Sequence, residues 1–253
     1  MLVRAPFLSI VLPVLNEAAL IRNFLLHLRE VAPEAEIIVV DGGSHDGTAS
    51  IAEPLADVVI SARQGRASQM NAGAAVARGD VLWFLHADLR VPRDSLREIE
   101  HVLANQRTVG GCFRLRFPER QRIYRISDSV GNIGVEVFGF ALGDHGIFCW
   151  HEVFNQLGGY RDVPILEDAE IYRALRSRGR MVQLHDEIVC SPRAYLKYGP
   201  YWTTAVYFLI LALYVAGVPI SRLNAIYRWF RGSAVGIAPA RAACERVTNA
   251  GAG

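Results

Sequence analysis

The chain has 253 residues, 51% of them hydrophobic and 21% charged, with a formal net charge of +2. That is long enough for one large domain, or for one domain with an appendage, and for a generous core. With no dominant basic run it carries no nucleic-acid signature, so no nucleic-acid partner is expected. Basic residues gather late in the chain, at Arg173, Arg176, Arg178, Arg180, Arg193, Lys197, Arg222, Arg228 and Arg231. This suits an anionic substrate, a phospholipid surface or, more plainly, a solvated face. Cys112, Cys149, Cys190 and Cys244 lie far apart with no CxxC spacing, which reads as free thiols in a reducing compartment. The expected location is cytoplasmic, with the inner face of the membrane as one place of work.

In chain order, Phe7–Val14 reads as a short apolar strand closed by Pro13 rather than as part of a signal peptide, because no small-residue cleavage site accompanies MLVRAPFLSIVLPV. Asn16 and Glu17 open a helix with Leu20, Phe24, Leu25 and Leu28 at three- and four-residue spacing, ended by Pro33. EIIVVD, Glu36–Asp41, is a second strand, followed by the glycine-rich loop GGSHDGT and a helix. Asp57–Ser61 is a third strand and Arg66–Ala77 a helix. VLWFLHADLRVP, Val81–Pro92, reads as a buried strand that runs to Asp88, which would point His86 and Asp88 to the same side. Strands alternating with helices imply parallel βαβ units and a binding crevice at the strands' carboxyl ends.

The pattern then changes. Gly110–Phe117 alternates like an antiparallel strand, Gly146–Trp150 is a short strand, and Glu167–Arg178 a helix. Tyr201–Ile220 is uncharged over about the 20 residues of a membrane span, with Tyr201, Trp202, Arg222, Arg228 and Trp229 placed like interfacial anchors. Gly217 and Pro219 shorten it. Three readings stand: a helix in the core or in a homo-oligomer interface, a helix lying on a membrane, or a span. The expected division is a first domain over 1–195, an apolar helical segment over 196–235 and a disordered tail over 236–253.

Four constellations carry chemistry. Asp41, at a strand end, can accept from a base N–H or a ribose hydroxyl, and Gly42, Gly43 and Gly47 permit close backbone approach. Ser44, Asp46 and Thr48 in the same loop equally suit helix capping. Arg63 and Arg66 stand at a helix N-terminus that favours an anion such as a diphosphate, or are simply solvated. Asp88 at a strand tip can hold Mg²⁺ or Mn²⁺ against phosphate oxygens, while His86 has a structural reading beside a ligand one. Glu167 and Asp168 open a helix, where acids are common for dipole reasons alone. As function, one of them is a general base, kept ionised by that dipole.

In this order and spacing, PVLNEA, EIIVVDGGSHDGT, RQGRASQMNAGA, LHAD and GDHGIFCW…PILEDAE resemble a family 2 glycosyltransferase of the GT-A fold, over about Leu8 to Arg193. LHAD, GRASQMNAGA and PILEDAE resemble in particular the bacterial radical-SAM/selenodomain-associated, or arsenosugar-biosynthesis, subgroup. The resemblance implies an α/β fold of GT-A type (Rossmann-like), with a mixed, mainly parallel sheet, flanking helices and here a C-terminal helical appendage. It implies a nucleotide-sugar donor, UDP-linked by expectation, a divalent metal (Mn²⁺ or Mg²⁺) and inversion at the anomeric carbon. Carried over, Pro13, Asn16 and Glu17 flank the nucleotide, Asp41 and Gly43 meet the base side, and Arg66 lies near the diphosphate. Asp88 matches the last acid of the family's D-x-D metal motif, and His86 stands where the family has its first aspartate, which leaves Asp88 as a single-carboxylate anchor. Asp168 matches the base, Glu167 contacts the acceptor, and Gly143, Asp144, His145 and Gly146 form the acceptor side. The acceptor would be a small molecule or lipid-linked. The rivals are a non-catalytic nucleotide-sugar binding module and a sugar-nucleotide pyrophosphorylase, which should carry a glycine-rich basic loop where this chain has PVLNEA.

Overall fold

A computed structural model describes residues 7–119 and 121–233. The apolar runs of the first half become strands as expected. Leu8–Val14 (β1), Glu36–Asp41 (β2) and Val81–Phe84 (β4) are buried at every residue, as befits parallel strands covered on both faces. Val58–Ser61 (β3) is partly exposed at the sheet's edge. Ala18–Val31 (α1), Thr48–Ala52 (α2) and Arg66–Val76 (α3) make the crossovers, and α1 turns Ile21, Phe24, Leu25, Leu28 and Val31 inward.

Ser95–Leu103 (α4) leads to Thr108–Arg116 (β5), then Arg122–Ile133 (α5) with a π-helical turn over Gly134–Phe138. A short 3₁₀ turn, Gly143–His145, precedes Phe148–Trp150 (β6), His151–Gln156 (α6), Glu167–Arg176 (α7) and Arg180–Val189 (β7). The seven strands lie in the order β3-β2-β1-β4-β6-β5-β7. The β3, β2, β1 and β4 strands run parallel, and β6 is antiparallel to both β4 and β5. From β1 the chain goes to β2 on one side and later to β4 on the other. That is a topological switch point, where open α/β sheets place their ligand crevice. Trp83 stacks on Phe113 with ring centroids 5.4 Å apart, and Phe113 meets Phe148 edge-on at 6.0 Å, joining the two halves of the sheet.

Pro13 is tolerated within β1 because β1–β4 pairing ends at Val11, so a missing N–H at 13 costs no ladder bond on that side. Three expectations are corrected. The β4 strand stops at Phe84, and His86 and Asp88 lie in the following turn, where Leu89 N–H bonds His86 O at 3.3 Å. The two side chains therefore do not share a strand face. The β5 strand is antiparallel only to β6; its other neighbour, β7, runs parallel to it. Gly110–Phe113 is buried continuously rather than alternately, because β5 is interior to the sheet. Finally, β7 was not foreseen.

The chain divides into two compact units between Ser191 and Pro192, where the sequence reading placed the junction after residue 195. The second unit holds Arg193–Tyr198 (α8), Pro200–Val215 (α9) and Ile220–Ser233 (α10). Tyr198 and Phe230 pack at 5.0 Å and Tyr207 and Phe230 at 6.1 Å, pinning α8 and α9 to α10. The α9 helix has 16 residues, roughly 24 Å at 1.5 Å per residue. Among the described residues no helix is long and apolar enough to cross a membrane, so the span reading of Tyr201–Ile220 is overturned for these residues. The expected disordered tail lies outside the described residues, as does Cys244; Cys112, Cys149 and Cys190 are buried free thiols.

Candidate active site

At the carboxyl ends of β1 and β2, two loops are laced together. The amide of Asn16 donates to Ser44 Oγ (2.8 Å), that of Glu17 to Thr48 Oγ1 (2.8 Å), that of Ala18 to Asp46 Oδ2 (3.0 Å), and that of His45 to Asn16 Oδ1 (3.0 Å). Thr48 and Asp46 thus serve the start of α1 as well as their own helix. Asp41 is buried and accepts from the amides of Gly43 (3.1 Å) and Ser44 (2.9 Å) and from the Ser44 hydroxyl. Much of its acceptor capacity therefore shapes the loop, and Gly43 supplies the positive φ of 95° that the loop requires.

Gln69 on α3, which the sequence reading did not single out, holds this edge from below. Its Nε2 donates to Val14 O (2.9 Å), the last carbonyl of β1, and to Val40 O (2.8 Å), the last but one of β2, and it is 4% exposed. Asn71, two residues further along α3, grips the backbone of Tyr160 on both sides: its Nδ2 donates to Tyr160 O (2.9 Å), and Tyr160 N–H donates to its Oδ1 (2.8 Å). Both residues lie within the stretch GRASQMNAGA. Their signal is a pair of amides on a helix rich in alanine and glycine.

Glu167 and Asp168 open α7 and are both buried, at 5% and 4% exposure. The chain reaches them through Leu166 in a left-handed conformation (φ 63°). Asn16 and Leu166 are the two non-glycine residues with positive φ among the described residues, and strain of this kind gathers at functional sites. Burial pushes the Asp168 carboxyl up to about 8, with the negative charges of Glu167 and Asp144 adding to it and the Arg66 guanidinium opposing. The expectation that the helix dipole keeps this carboxylate ionised is therefore overturned. A dipole contributes about 0.3–1 kcal/mol, less than the burial it faces. Arg66 NH1 stands 3.7 Å from Glu167 Oε1.

Asp168 Oδ1 and the Tyr160 hydroxyl are both buried, and side-chain hydrogen bonding between Tyr160 and the Asp168 carboxyl opposes the rise of that carboxyl. The other carboxylate oxygen faces the 3₁₀ turn. A Cβ at Gly143 would lie 2.6 Å from Asp168 Oδ2 and 2.2 Å from His86 Nε2. Only glycine lets the imidazole and the carboxylate close over that Cα. His86 is thus brought to the Asp168 carboxyl, an arrangement the expected strand geometry did not contain.

Asp144 raises both Asp168 and the Cys190 thiol, and Asp88 also raises Cys190, so Asp88, Asp144 and Asp168 share one end of the sheet. His145 does not join them. Its Nδ1 lies 3.0 Å from Phe113 O, it is fully buried, and burial lowers it to about 4, so it is a neutral core imidazole. Gly146 lies under Trp83, whose Nε1 donates to its carbonyl at 3.1 Å.

Among the described residues no three His, Cys, Asp or Glu side chains form a metal-holding group. A closed cage is thereby ruled out for them. One partly exposed carboxylate in the turn after β4, Asp88, fits the other way of holding a hard cation, with phosphate oxygens and water completing the shell.

A mainly parallel sheet with these carboxylates at its carboxyl edge is the architecture of GT-A glycosyltransferases. The fold resembles that of the mannosyltransferase PcManGT from Pyrobaculum calidifontis, solved with GDP-Man and Mn²⁺, with TM-score 0.64 and 20% identity over 91% of this chain and 71% of that one. It also resembles glucosyl-3-phosphoglycerate synthase from Mycobacterium tuberculosis with Mn²⁺ and UDP-glucose, with TM-score 0.57 and 17% identity over 85% and 80%. Residues 9–161 match the model of glycosyl transferase family 2, and the chain belongs to that family. The matched segment ends before Glu167 and Asp168.

Similar curated proteins include the undecaprenyl-phosphate 4-deoxy-4-formamido-L-arabinose transferase of Sodalis glossinidius, 28% identical over 54% of this chain and 46% of that protein. The namesake from Pseudomonas fluorescens is 34% identical over 36% and 30%. The uncharacterized glycosyltransferase YfnE of Bacillus subtilis is 34% identical over 39% and 26%. The chain spans less than half the length of these relatives.

Proposed function

We propose that the chain is an inverting glycosyltransferase that moves a sugar from a nucleotide-sugar donor, in the first instance a UDP-sugar, to an acceptor hydroxyl. The observation that carries this reading is the buried Asp168 carboxyl, with Arg66, Asp144 and His86 around it, at the carboxyl edge of a GT-A sheet.

Asp168 takes the proton of the acceptor hydroxyl as its oxygen attacks the anomeric carbon from the side opposite the diphosphate, which inverts the configuration. Glu167 and Asp144 line the acceptor side, and the Gly143–Gly146 turn shapes it, with His145 bracing the turn from within the core. Pro13, Asn16, Glu17, Asp41 and Gly43 form the nucleotide edge through the laced loops. Arg66 sits at the N-terminus of α3, where positive charge meets a departing diphosphate as its charge grows. Asp88 would hold Mn²⁺ or Mg²⁺, which when bound neutralises diphosphate charge. His86 in place of an acid spares Asp168 one more negative neighbour beside Glu167 and Asp144.

The base also speaks to the acceptor. A hydroxyl must lose a proton to attack, whereas a phosphate oxygen is already anionic at neutral pH. A carboxyl as costly to bury as Asp168 supports the hydroxyl, on a small or a lipid-linked acceptor. The names of the curated relatives favour a second reading, a lipid phosphate. The subgroup reading rests on LHAD, GRASQMNAGA and PILEDAE alone, and the relatives named above carry a different label. The buried free thiols support a reducing, cytoplasmic setting.

The test is release of nucleoside diphosphate from a panel of UDP-, GDP- and dTDP-sugars by wild type and Asp168→Asn, with hydroxyl and lipid-phosphate acceptors. The variant should bind donor normally and lose hydroxyl transfer by about 10²–10⁴-fold. Near-normal hydroxyl transfer would remove Asp168 as base. Normal turnover only with lipid phosphate would establish the second reading, and donor binding without any turnover a binding module.

A further inference from the structure

The second unit has a surface that the transfer chemistry does not use. From Pro192 to Ser233 the sequence contains five basic residues, Arg193, Lys197, Arg222, Arg228 and Arg231, and no aspartate or glutamate. All five are exposed. The α9 helix buries Thr203, Val206, Ile210 and Tyr214 along one face. Its other face is also apolar: Tyr201, Trp202, Ala205, Phe208, Leu209, Ala212 and Val215 are all exposed. Tyr201 is 73%, Trp202 45%, Phe208 56% and Leu209 46% exposed. A helix apolar all round is ordinarily buried, and a continuous exposed apolar stripe marks a docking surface.

The hairpin of α9 and α10 sets the cations where they matter. Trp202, near the start of α9, packs against Trp229, near the end of α10, at 6.0 Å. Trp229 is 59% exposed. This end of the hairpin therefore gathers three exposed aromatic rings beside Arg228 and Arg231, with Arg193 and Lys197 on the helix just before α9. Amphipathic rings beside cations, next to an aliphatic stripe, are the composition of an interfacial helix.

We propose that this unit docks on an anionic phospholipid membrane surface, with α9 lying in the interface plane. Two observations decide against other occupants. No described helix is long and apolar enough to span, so the helix lies on the bilayer. A second copy of the chain, joined by a two-fold axis, would bring the same patch against itself. Five cations without one acid would then face their like, whereas an anionic lipid surface supplies the missing charge. The proposal stands on the second unit alone and does not depend on the transfer reaction.

The experiment is flotation of the purified chain with phosphatidylcholine vesicles, with and without phosphatidylglycerol, alongside its mass in solution by light scattering. Two variants accompany it: Phe208→Glu in the apolar stripe, and the pair Arg222→Glu with Arg228→Glu. Circular dichroism checks that each is folded. The wild type should float with the anionic vesicles and lose at least about tenfold in binding without phosphatidylglycerol. Both variants, folded, should lose at least as much. Equal binding to neutral vesicles, or folded variants that bind like wild type, would overturn the proposal. So would a lipid-independent dimer that Phe208→Glu converts to monomer, which would make the stripe a contact between copies.

Discussion

Replacing Asp168 by asparagine should do two opposite things, abolishing hydroxyl transfer while making the protein more stable. An unfolded aspartate releases its proton near 3.8, whereas in the folded chain burial and the charges of Glu167 and Asp144 hold that proton until about pH 8. At neutral pH the native state thus carries a proton the unfolded state has lost. Stability accordingly falls as pH rises from about 4 through about 8. Taken to pH 7, the difference between the two values corresponds to roughly 4 kcal/mol, a ceiling because Asp168 titrates together with its acidic neighbours. Asparagine keeps the shape and does not ionise. A gain of a few kcal/mol in a chain of this size raises Tm by about 2–4 °C per kcal/mol. Thermal unfolding of the two proteins across this range should give curves that converge near pH 4 and separate progressively toward pH 8, with Asp168→Asn the higher. A variant less stable than wild type at pH 8, or a difference independent of pH, would refute the reasoning.

Other outcomes follow from the same geometry. Gly143→Ala places a methyl 2.2 Å from His86 Nε2 and 2.6 Å from Asp168 Oδ2; it should cost about 1–3 kcal/mol in a urea melt and reduce kcat by at least about tenfold. An unchanged kcat would mean that the two groups do not meet over this residue during turnover. Gln69→Ala strips a shared donor from two buried strand-end carbonyls and should lower stability by roughly 2–4 kcal/mol, read from the urea midpoint; a neutral result would contradict the stapling role. For hydroxyl transfer, kcat/KM should climb with pH toward about 8, because Asp168 must shed its proton before it can act as a base. A profile flat over that range would place the base elsewhere.

The parts of the fold read correctly from sequence are those with one dominant physical cause. The runs of β1, β2 and β4 are mainly apolar because both faces of a parallel strand are covered, and LEDAE announces the start of α7 with its acids. The β7 strand, RMVQLHDEIV, was missed because its exposed residues are polar and charged, so nothing in its periodicity sets it apart from a loop. The tip of β4 was drawn too long because VLWFLHAD continues apolar past Phe84, where the chain leaves β1 and turns.

The site divides in the same way. Asp41, Arg66, Asp88, Asp144, Glu167 and Asp168 are visible as charges at strand ends and helix starts, and the fold brings them to one end of the sheet. His145 could not be told from a ligand by its place in GDHG; only the packing of β5 against the turn buries it. Gln69, Asn71 and Tyr160 carry no charge, and their importance arises from which backbone groups lie within their reach. The meeting of His86 with Asp168 depends on a glycine 57 positions from the first and 25 from the second, a contact no local pattern encodes.

The most direct test of the nucleotide-sugar reading is a calorimetric titration of UDP into the purified chain with Mn²⁺, repeated with EDTA and with Asp88→Asn. The account predicts binding that requires the metal and is weakened by the substitution. Binding indifferent to EDTA and to Asp88 would contradict the single-carboxylate metal anchor, and absence of binding for UDP, GDP and dTDP alike would contradict the nucleotide-sugar site itself.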